Sequence, residues 1–353
     1  MSIKKVRESN LELLRIISMM LVLLVHYLPL RAPTTLDVLS NNPLKAFLNL
    51  EMHSVAIVCV HCFILISGFF GIRQRPQSFL SFLFQLLFWA VAGYVIAKSI
   101  DSYFMLSQSY NIANLLGWYQ GRWFVSAYLT LYVLSPLINS FIEKSSEDEL
   151  LKFILAFYAF STIYGYCFGS KEFATGLSAI SLVGLYLIGA WLRKSKKMIV
   201  QWDKRYDLLS FVLCTLVLTF GSAFLLKVGI TKSIYGYLNP IVIIESMFLF
   251  QFFRKLNIGR VKWINWLAAS AFSVFLSHCH QFLGDYCSRL WSYLNNYGGI
   301  IYVVISMVTI FLLSVLIDKI RMLIWNALCN IVLWLSKKLT PPTHSLKYPR
   351  FLK

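Results

Sequence analysis

Residues 10–30, NLELLRIISMMLVLLVHYLPL, form an apolar stretch that is long enough to cross a bilayer as one helix. The stretch also carries three ionisable residues, Glu12, Arg15 and His26. Because a helix turns about 100° per residue, Arg15 and His26 return to within roughly 20° of one face, about 16 Å apart along the axis. Glu12 lies one turn before Arg15, at a spacing that allows an ion pair.

This polar stripe has two interpretations. Charged groups at membrane depth normally face the protein interior or a watery cavity, so the stripe predicts a lined passage with a functional role. In the simpler interpretation an interfacial Glu12–Arg15 pair holds the cytosolic end of the helix, and His26 lies near the far interface.

The composition predicts an all-α, polytopic membrane bundle. The chain has 353 residues, of which 58% are hydrophobic and 14% charged, and its mean hydropathy is +0.67. The net charge of +18 comes from Lys and Arg residues in short segments between apolar runs. The positive-inside rule explains that distribution better than binding to nucleic acid does.

Counting windows of about 20 apolar residues gives about ten transmembrane helices, with both termini in the cytosol. The predicted spans are about 11–30, 51–72, 78–98, 122–142, 150–168, 176–192, 208–229, 235–253, 264–283 and 300–317. We expect an exoplasmic loop up to Gly299, a cytosolic tail at 319–353, and an amphipathic helix at 321–336 on the inner leaflet. The whole of 1–353 is then one transmembrane domain.

Ionisable residues inside the predicted spans are candidates for chemistry. His26, His53, His278 and His280 fall toward the exoplasmic halves of their spans. Glu245 lies in the middle of an apolar run, either as a single buried carboxyl or as a partner that orients a His or Arg.

Sequence motifs for other chemistries are weak or missing. His280 and Asp285 form an HxxxxD pattern, which we attribute to chance. The sequence has no phosphate-binding glycine loop, no GxSxG elbow and no ligand cluster with zinc spacing, so we expect no metal. Cys59 and Cys62 form a CxxC without polar neighbours, a pattern more typical of packing.

Four sequence blocks resemble the integral-membrane acyltransferase 3 family, which O-acylates sugars of surface polysaccharides. The first block is NLELLR with a histidine eleven residues after its arginine, here Arg15 and His26. The other three are VHCFILISGFFGI (60–72), WFVSAYLTLYVLSPLIN (123–139) and SAFSVFLSHCHQFLGD (270–285). They occur in the family's order over nearly the whole chain.

The resemblance implies an O-acetyltransferase of the plasma (inner) membrane, with acetyl-CoA as acyl donor. The acceptor would be a sugar of a capsule, O-antigen or exopolysaccharide, including a lipid-linked one. His26 would be the catalytic base or an acyl relay, and Arg15 would be essential. To these catalytic residues we add Glu245 and His278.

We also predict two groups of binding residues. Phosphates of acetyl-CoA would meet cytosolic arginines, for which the candidates are Arg15, Arg73 and Arg75. The acceptor sugar would meet residues near the outer face, for which the candidates are Arg122, Trp123, Tyr128 and His53. Many family members carry Arg-x-x-Arg where this chain has Arg73-x-Arg75.

Three alternatives remain at this stage. Buried Arg, Glu and His also line transport paths, so a transporter or flippase for a lipid-linked sugar is one of them. A transporter predicts matched halves with broken helices, and the sequence shows no such repeat. The others are a membrane sensor or scaffold without chemistry, and an acyltransferase that modifies lipids.

Overall fold

The structure is a computed structural model, and it describes residues 9–28, 34–104, 123–166, 168–170, 173, 175–230 and 234–339. Within these ranges all regular secondary structure is α-helical, which confirms the all-α class. In chain order the helices are α1 (Ser9–Tyr27), α2 (Leu36–Asn41), α3 (Pro43–Ala56), α4 (Cys59–Phe70), α5 (Pro76–Phe104), α6 (Trp123–Lys144), α7 (Glu147–Tyr166), α8 (Ala179–Lys194), α9 (Met198–Gln201), α10 (Lys204–Lys227), α11 (Pro240–Arg254), α12 (Lys262–Ala268), α13 (Ala271–His278), α14 (Leu283–Gly298) and α15 (Ile300–Leu339).

Six segments of the described chain are long and apolar enough to cross a membrane. They are Ser9–Tyr27, Pro43–Phe70, Pro76–Ser102, Trp123–Lys144, Lys204–Lys227 and Ile300–Ser336. These segments correspond to the first four predicted spans, the seventh and the tenth. The other predicted spans coincide with α7, α8, α11 and the pair α12 and α13, so the total of about ten and the side of the termini stay predictions.

The chain forms two compact units, and each is described by itself. The first combines Met1–Ile72 with Tyr119–Ala269, and the second combines Arg73–Trp118 with Ser270–Lys353.

In the first unit, α4 and α8 pack with their backbones almost in contact. A Cβ atom on Gly68 would lie 2.1 Å from the carbonyl oxygen of Tyr186, and one on Gly189 would lie 2.4 Å from that of Leu65. Small residues at such crossings are typical of membrane helices, because close packing replaces the hydrophobic driving force of water. Gly68, in the SGF block of the sequence, therefore allows α4 and α8 to cross closely.

A ring of hydrogen bonds joins the end of α4 to α6 and α8. The Tyr186 hydroxyl donates to Asn139 Oδ1 at 2.7 Å and accepts from the backbone N–H of Ile72 at 2.8 Å. The Asn139 side chain donates in turn to the Ile72 carbonyl at 2.8 Å. Asn139 lies three residues after Pro136, which lies inside α6. The Ser-Pro block thus supplies a side chain that fixes where α4 ends.

In the second unit, a buried ion pair links α15 to α5. Arg321 Nε donates to Asp318 Oδ1 at 2.6 Å, and the two residues are 5% and 0% exposed. Gln85 and Trp89 donate to the same oxygen at 3.2 and 3.4 Å. Gln85 lies about 13 Å along α5 from Pro76, inside the segment Pro76–Ser102 that is long and apolar enough to cross a membrane.

The last helix differs from the prediction in its length. α15 is a single helix of 40 residues, so the segment 321–336 continues this helix and is not a separate one, whereas the inner end of the span at 317 stays a prediction. The charges at 318–321 suggested a cytosolic boundary, whereas Asp318 and Arg321 neutralise each other inside the unit.

Two further expectations differ from the structure. The predicted ninth span is divided, since α12 ends at Ala268 and α13 begins at Ala271. The predicted exoplasmic loop up to Gly299 is instead α14, an amphipathic helix that buries Leu283 and Trp291. Its polar outer face lowered the apparent hydrophobicity of the segment below that of a span.

Candidate active site

Arg15 and Glu12 form the ion pair that their spacing predicts. Arg15 Nη1 lies 3.3 Å from Glu12 Oε2, and the two side chains are 29% and 8% exposed. Glu12 thus neutralises part of the guanidinium charge, while Arg15 stays partly accessible. An accessible guanidinium with one carboxylate partner keeps N–H donors for a phosphate or a second carboxylate.

His26 lies at the other end of the same helix face, in the last turn of α1, and it is exposed. Between the two ends, Ser18, Met19 and Val22 are 0%, 2% and 4% exposed. The stripe therefore has two accessible ends and a packed middle.

Tyr128 lies on the Arg15 side of the unit. Its hydroxyl meets Ser67 of α4 and is within electrostatic range of Arg15, and its ring stacks on Phe124 at 6.0 Å. The sequence grouped Tyr128 with Trp123 and Arg122 as outer-face sugar ligands. The Phe124 ring lies between those of Tyr128 and Trp123, since it is also 5.8 Å from the Trp123 ring, and Arg122 lies outside the described residues.

Trp123 also contacts a second group of aromatic rings. Its ring lies 5.6 Å from that of Tyr237, which stacks on His61 at 5.2 Å. His61 Nε2 is 2.8 Å from the Tyr237 carbonyl oxygen, so the imidazole is held by the backbone.

His53 is completely buried, and neither ring nitrogen has a hydrogen-bond partner in the described part of the chain. Its ring packs edge-on against Tyr235, with 4.4 Å between the centroids. A predicted sugar ligand with 0% exposure has no surface to offer to a sugar in this conformation.

Glu245 is also completely buried. Its Oε1 accepts a 2.6 Å hydrogen bond from Thr215, and its Oε2 has no partner among the described residues. The interpretation in which Glu245 orients a His or an Arg is therefore wrong for this conformation, and its catalytic role stays a prediction.

The remaining predicted residues lie in the second unit. His278 is 4% exposed, with Nδ1 2.5 Å from the Val274 carbonyl oxygen and Nε2 3.3 Å from the Cys279 thiol. Arg73 and Arg75 are exposed just before α5. Their accessibility suits phosphate binding, and that role stays a prediction.

Comparison with known families gives the decisive observation. A family model described as an acyltransferase domain matches residues 8–319. This chain belongs to the acyltransferase 3 family. No match was found among curated proteins or among solved structures. The family and the apolar helices together make the chain a membrane acyltransferase.

Sequence reasoning on this family member missed a polar cluster next to Glu245. Thr219 Oγ1 lies 2.9 Å from Glu51 Oε2 and 3.0 Å from Ser54 Oγ, and Ser54 lies 3.2 Å from the Tyr235 hydroxyl. Thr215 and Thr219 are four residues apart on an otherwise apolar helix, so they lie on one face. The spacing of these two threonines is the feature of the sequence that could have predicted the polar cluster.

Proposed function

We propose that this acyltransferase moves an acetyl or other acyl group from acyl-CoA to a hydroxyl of a surface-polysaccharide or lipid-linked sugar. One observation carries the proposal: Arg15 and His26 are accessible at the two ends of one face of α1, while the residues between them are packed. Eleven residues of helix span about 16 Å, a length comparable to a pantetheine arm, and the arm would pass beside the packed middle of this face, not along it.

The Arg15 end is the donor end in this proposal. Phosphate groups of acetyl-CoA accept charge-assisted hydrogen bonds from a guanidinium, and an arginine presents two parallel N–H donors to them. The Tyr128 hydroxyl, which meets Ser67, is within electrostatic range of that guanidinium. The lysines and arginines near the same end of the unit favour the cytosolic side, where acetyl-CoA is made.

The His26 end is the acceptor end. The imidazole takes the proton from the sugar hydroxyl as its oxygen attacks the thioester carbonyl. The new C–O bond forms, the C–S bond breaks, and the proton passes from the imidazolium to the departing sulfur. In the two-step variant, His26 itself carries the acyl group between donor and acceptor.

The setting that follows is the plasma membrane, at a stage of capsule, O-antigen or exopolysaccharide synthesis. The acceptor is then a sugar that is lipid-linked or attached to a nascent chain. The chemistry needs acyl-CoA and the sugar, and it needs no metal.

The test is acyl transfer by purified protein in lipid nanodiscs, with radiolabelled acetyl-CoA and a panel of polysaccharide fragments. We expect label in the sugar with the wild type and none with His26→Ala. Gel filtration and thermal melting establish that the variant is folded. Transport of a lipid-linked sugar without acetyl-CoA consumption would support a flippase instead.

A matched histidine variant separates this site from the HxxxxD pattern. His280→Gln removes a buried imidazole that lies 3.2 Å from the Ala90 carbonyl oxygen, within the second unit. We expect His280→Gln to keep activity in proportion to the folded protein. If His280→Gln abolishes transfer and His26→Ala does not, the proposed base is wrong.

A further inference from the structure

The first turn of α1 is tied by polar side chains to the segment that follows α11. Asn10 is 5% exposed, and its side-chain amide donates to the carbonyl oxygens of Arg254 and Leu256 at 2.9 and 3.3 Å. Asn10 Oδ1 accepts from the Leu11 N–H at 2.8 Å. The last carbonyls of a helix have no partner within that helix, so Asn10 caps α11 from another element.

Ser9 adds a second attachment to the same segment. Its backbone N–H donates to the Gly259 carbonyl at 3.1 Å, and its hydroxyl accepts from the Val261 N–H at 2.8 Å. The Ser9 hydroxyl also lies 3.0 Å from Asn265 Oδ1. The start of α1 therefore has a fixed position along its own axis relative to α11 and α12.

The partner segment is itself held firmly. The Arg254 guanidinium donates to the carbonyl of Leu192, in the last turn of α8, at 2.8 Å, and to the carbonyl of Val200, in α9, at 2.9 Å. Its planar group also lies 5.8 Å from the Phe69 ring. Asn10 thus attaches α1 to a part of the unit that three other helices keep in place.

An axial reference point matters for a membrane helix of this composition. Transfer from lipid to protein gives little preference for one axial position of α1, because the two surroundings are equally apolar, so packing and hydrogen bonds set that position. Hydrogen bonds to defined carbonyl oxygens do not tolerate such a shift, since their strength falls steeply with distance and angle. The polar first turn is therefore the feature that sets how deep Arg15 and His26 lie.

We propose that Asn10 is a positioning residue that fixes the axial register of α1 against α11 and so places Arg15 and His26 for acyl transfer. The inference rests on the proposed function for its consequence in catalysis. The register itself is a structural property and is measured without any activity.

Asn10→Asp is the variant that tests the two donated hydrogen bonds most directly. The carboxylate keeps the oxygen that accepts from Leu11, removes the two donated hydrogen bonds, and sets a negative charge against two carbonyl oxygens. Asn10→Gln retains the amide donors and serves as the rescue. Asn295→Asp, at an exposed residue of α14, controls for the added charge.

The axial register of α1 is measured by the rate of disulfide cross-linking to α4. The Ser18 hydroxyl lies beside the Cys62 thiol of α4, so Ser18→Cys brings two thiols together when α1 is in register. We expect copper-phenanthroline to cross-link position 18 to Cys62 rapidly in the Asn10 and Asn10→Gln backgrounds. In the Asn10→Asp background we expect at least a fivefold slower reaction, with peptide mass spectrometry identifying the bridge. Equal rates in both backgrounds would overturn the proposal.

Activity gives the second measurement. Per folded molecule, we expect Asn10→Asp to lower kcat at least tenfold and Asn10→Gln to stay within threefold of the wild type. A kcat loss that matches the unfolded fraction would reduce Asn10 to a purely structural residue. If the wild type transfers no acyl group, the proposed function fails, and the cross-linking result still decides the register.

Discussion

Gly68 of α4 lies so close to Tyr186 of α8 that a single methyl group at Gly68 would come within 2.1 Å of the Tyr186 carbonyl oxygen. Gly189 makes the reciprocal approach to Leu65 one turn further along α8. The contact atoms are backbone, which cannot rotate away as a side chain would. The helices α4, which carries Ser67, and α8, which carries Tyr186, are therefore held with their backbones almost in contact.

We predict that Gly68→Ala and Gly189→Ala each destabilise the protein by about 2 kcal/mol or more, because α4 and α8 must separate. Thermal melting in detergent measures the effect. Gly221→Ala is the matched control, since its Cβ would meet only the Ile234 side chain at 3.5 Å. A melting temperature for Gly68→Ala equal to that of the control would contradict the close packing.

For the buried Asp318–Arg321 pair, we predict that the effects of single substitutions on the free energy of unfolding are strongly non-additive. Removing one partner, as in Asp318→Leu, leaves a buried charge uncompensated and should cost about 3–5 kcal/mol. The double replacement Asp318→Leu with Arg321→Met removes both charges and should recover most of that loss. Denaturation of the single and double variants in mild detergent measures the cycle. Additive losses would show that the pair does not act as a unit.

Thr215 supplies the hydrogen bond that Glu245 accepts. Thr215→Val keeps the shape of the side chain and leaves both carboxyl oxygens of Glu245 without a donor, so we expect a loss of about 1–3 kcal/mol. In the background of Glu245→Leu, the same Thr215→Val change should be nearly neutral. Melting temperatures of the four proteins test this coupling, and an equal loss in both backgrounds would refute it.

Arg15 should be sensitive to the geometry of its side chain as well as to its charge. Arg15→Lys keeps the charge and removes the planar pair of donors, so we expect the KM for acetyl-CoA to rise about tenfold or more. Glu12→Gln removes the partner carboxylate and keeps the guanidinium. We expect it to leave the KM for acetyl-CoA unchanged or lower. An unchanged KM in Arg15→Lys would remove Arg15 from the donor site.

The first residue of α7, Glu147, gives a dependence on pH. Glu147 accepts from the Ser195 hydroxyl at 2.7 Å and from the Lys196 N–H at 3.1 Å, and these hydrogen bonds lower the pKa of Glu147 below its usual 4.5. A depressed pKa in the folded state gives a stabilisation that is present above the ordinary pKa and is lost as the pH falls through the folded value. The melting difference between wild type and Glu147→Gln should therefore be constant near neutrality and shrink as the pH falls below the usual pKa of a glutamate and through the lowered pKa of Glu147. A difference that grows on acidification would contradict this sign.

The sequence by itself determined the class of the fold, the family and the face shared by Arg15 and His26. Each of these depends on residues that are near in the chain: apolar runs, the spacing of four short blocks, and the periodicity of one helix. The Glu12–Arg15 pair followed from the same local rule, and the structure confirms it.

Only the tertiary structure decided which polar groups meet across helices. In the structure Glu245 accepts a hydrogen bond from Thr215 and not from a His or an Arg. His53 is buried against Tyr235, and Tyr128 is within electrostatic range of Arg15. Asp318 is also neutralised by Arg321 inside α15, where the sequence suggested a cytosolic boundary. Hydropathy measures the cost of each residue in lipid one at a time, whereas pairing with a distant partner removes that cost, and the partner is known only once the helices are packed.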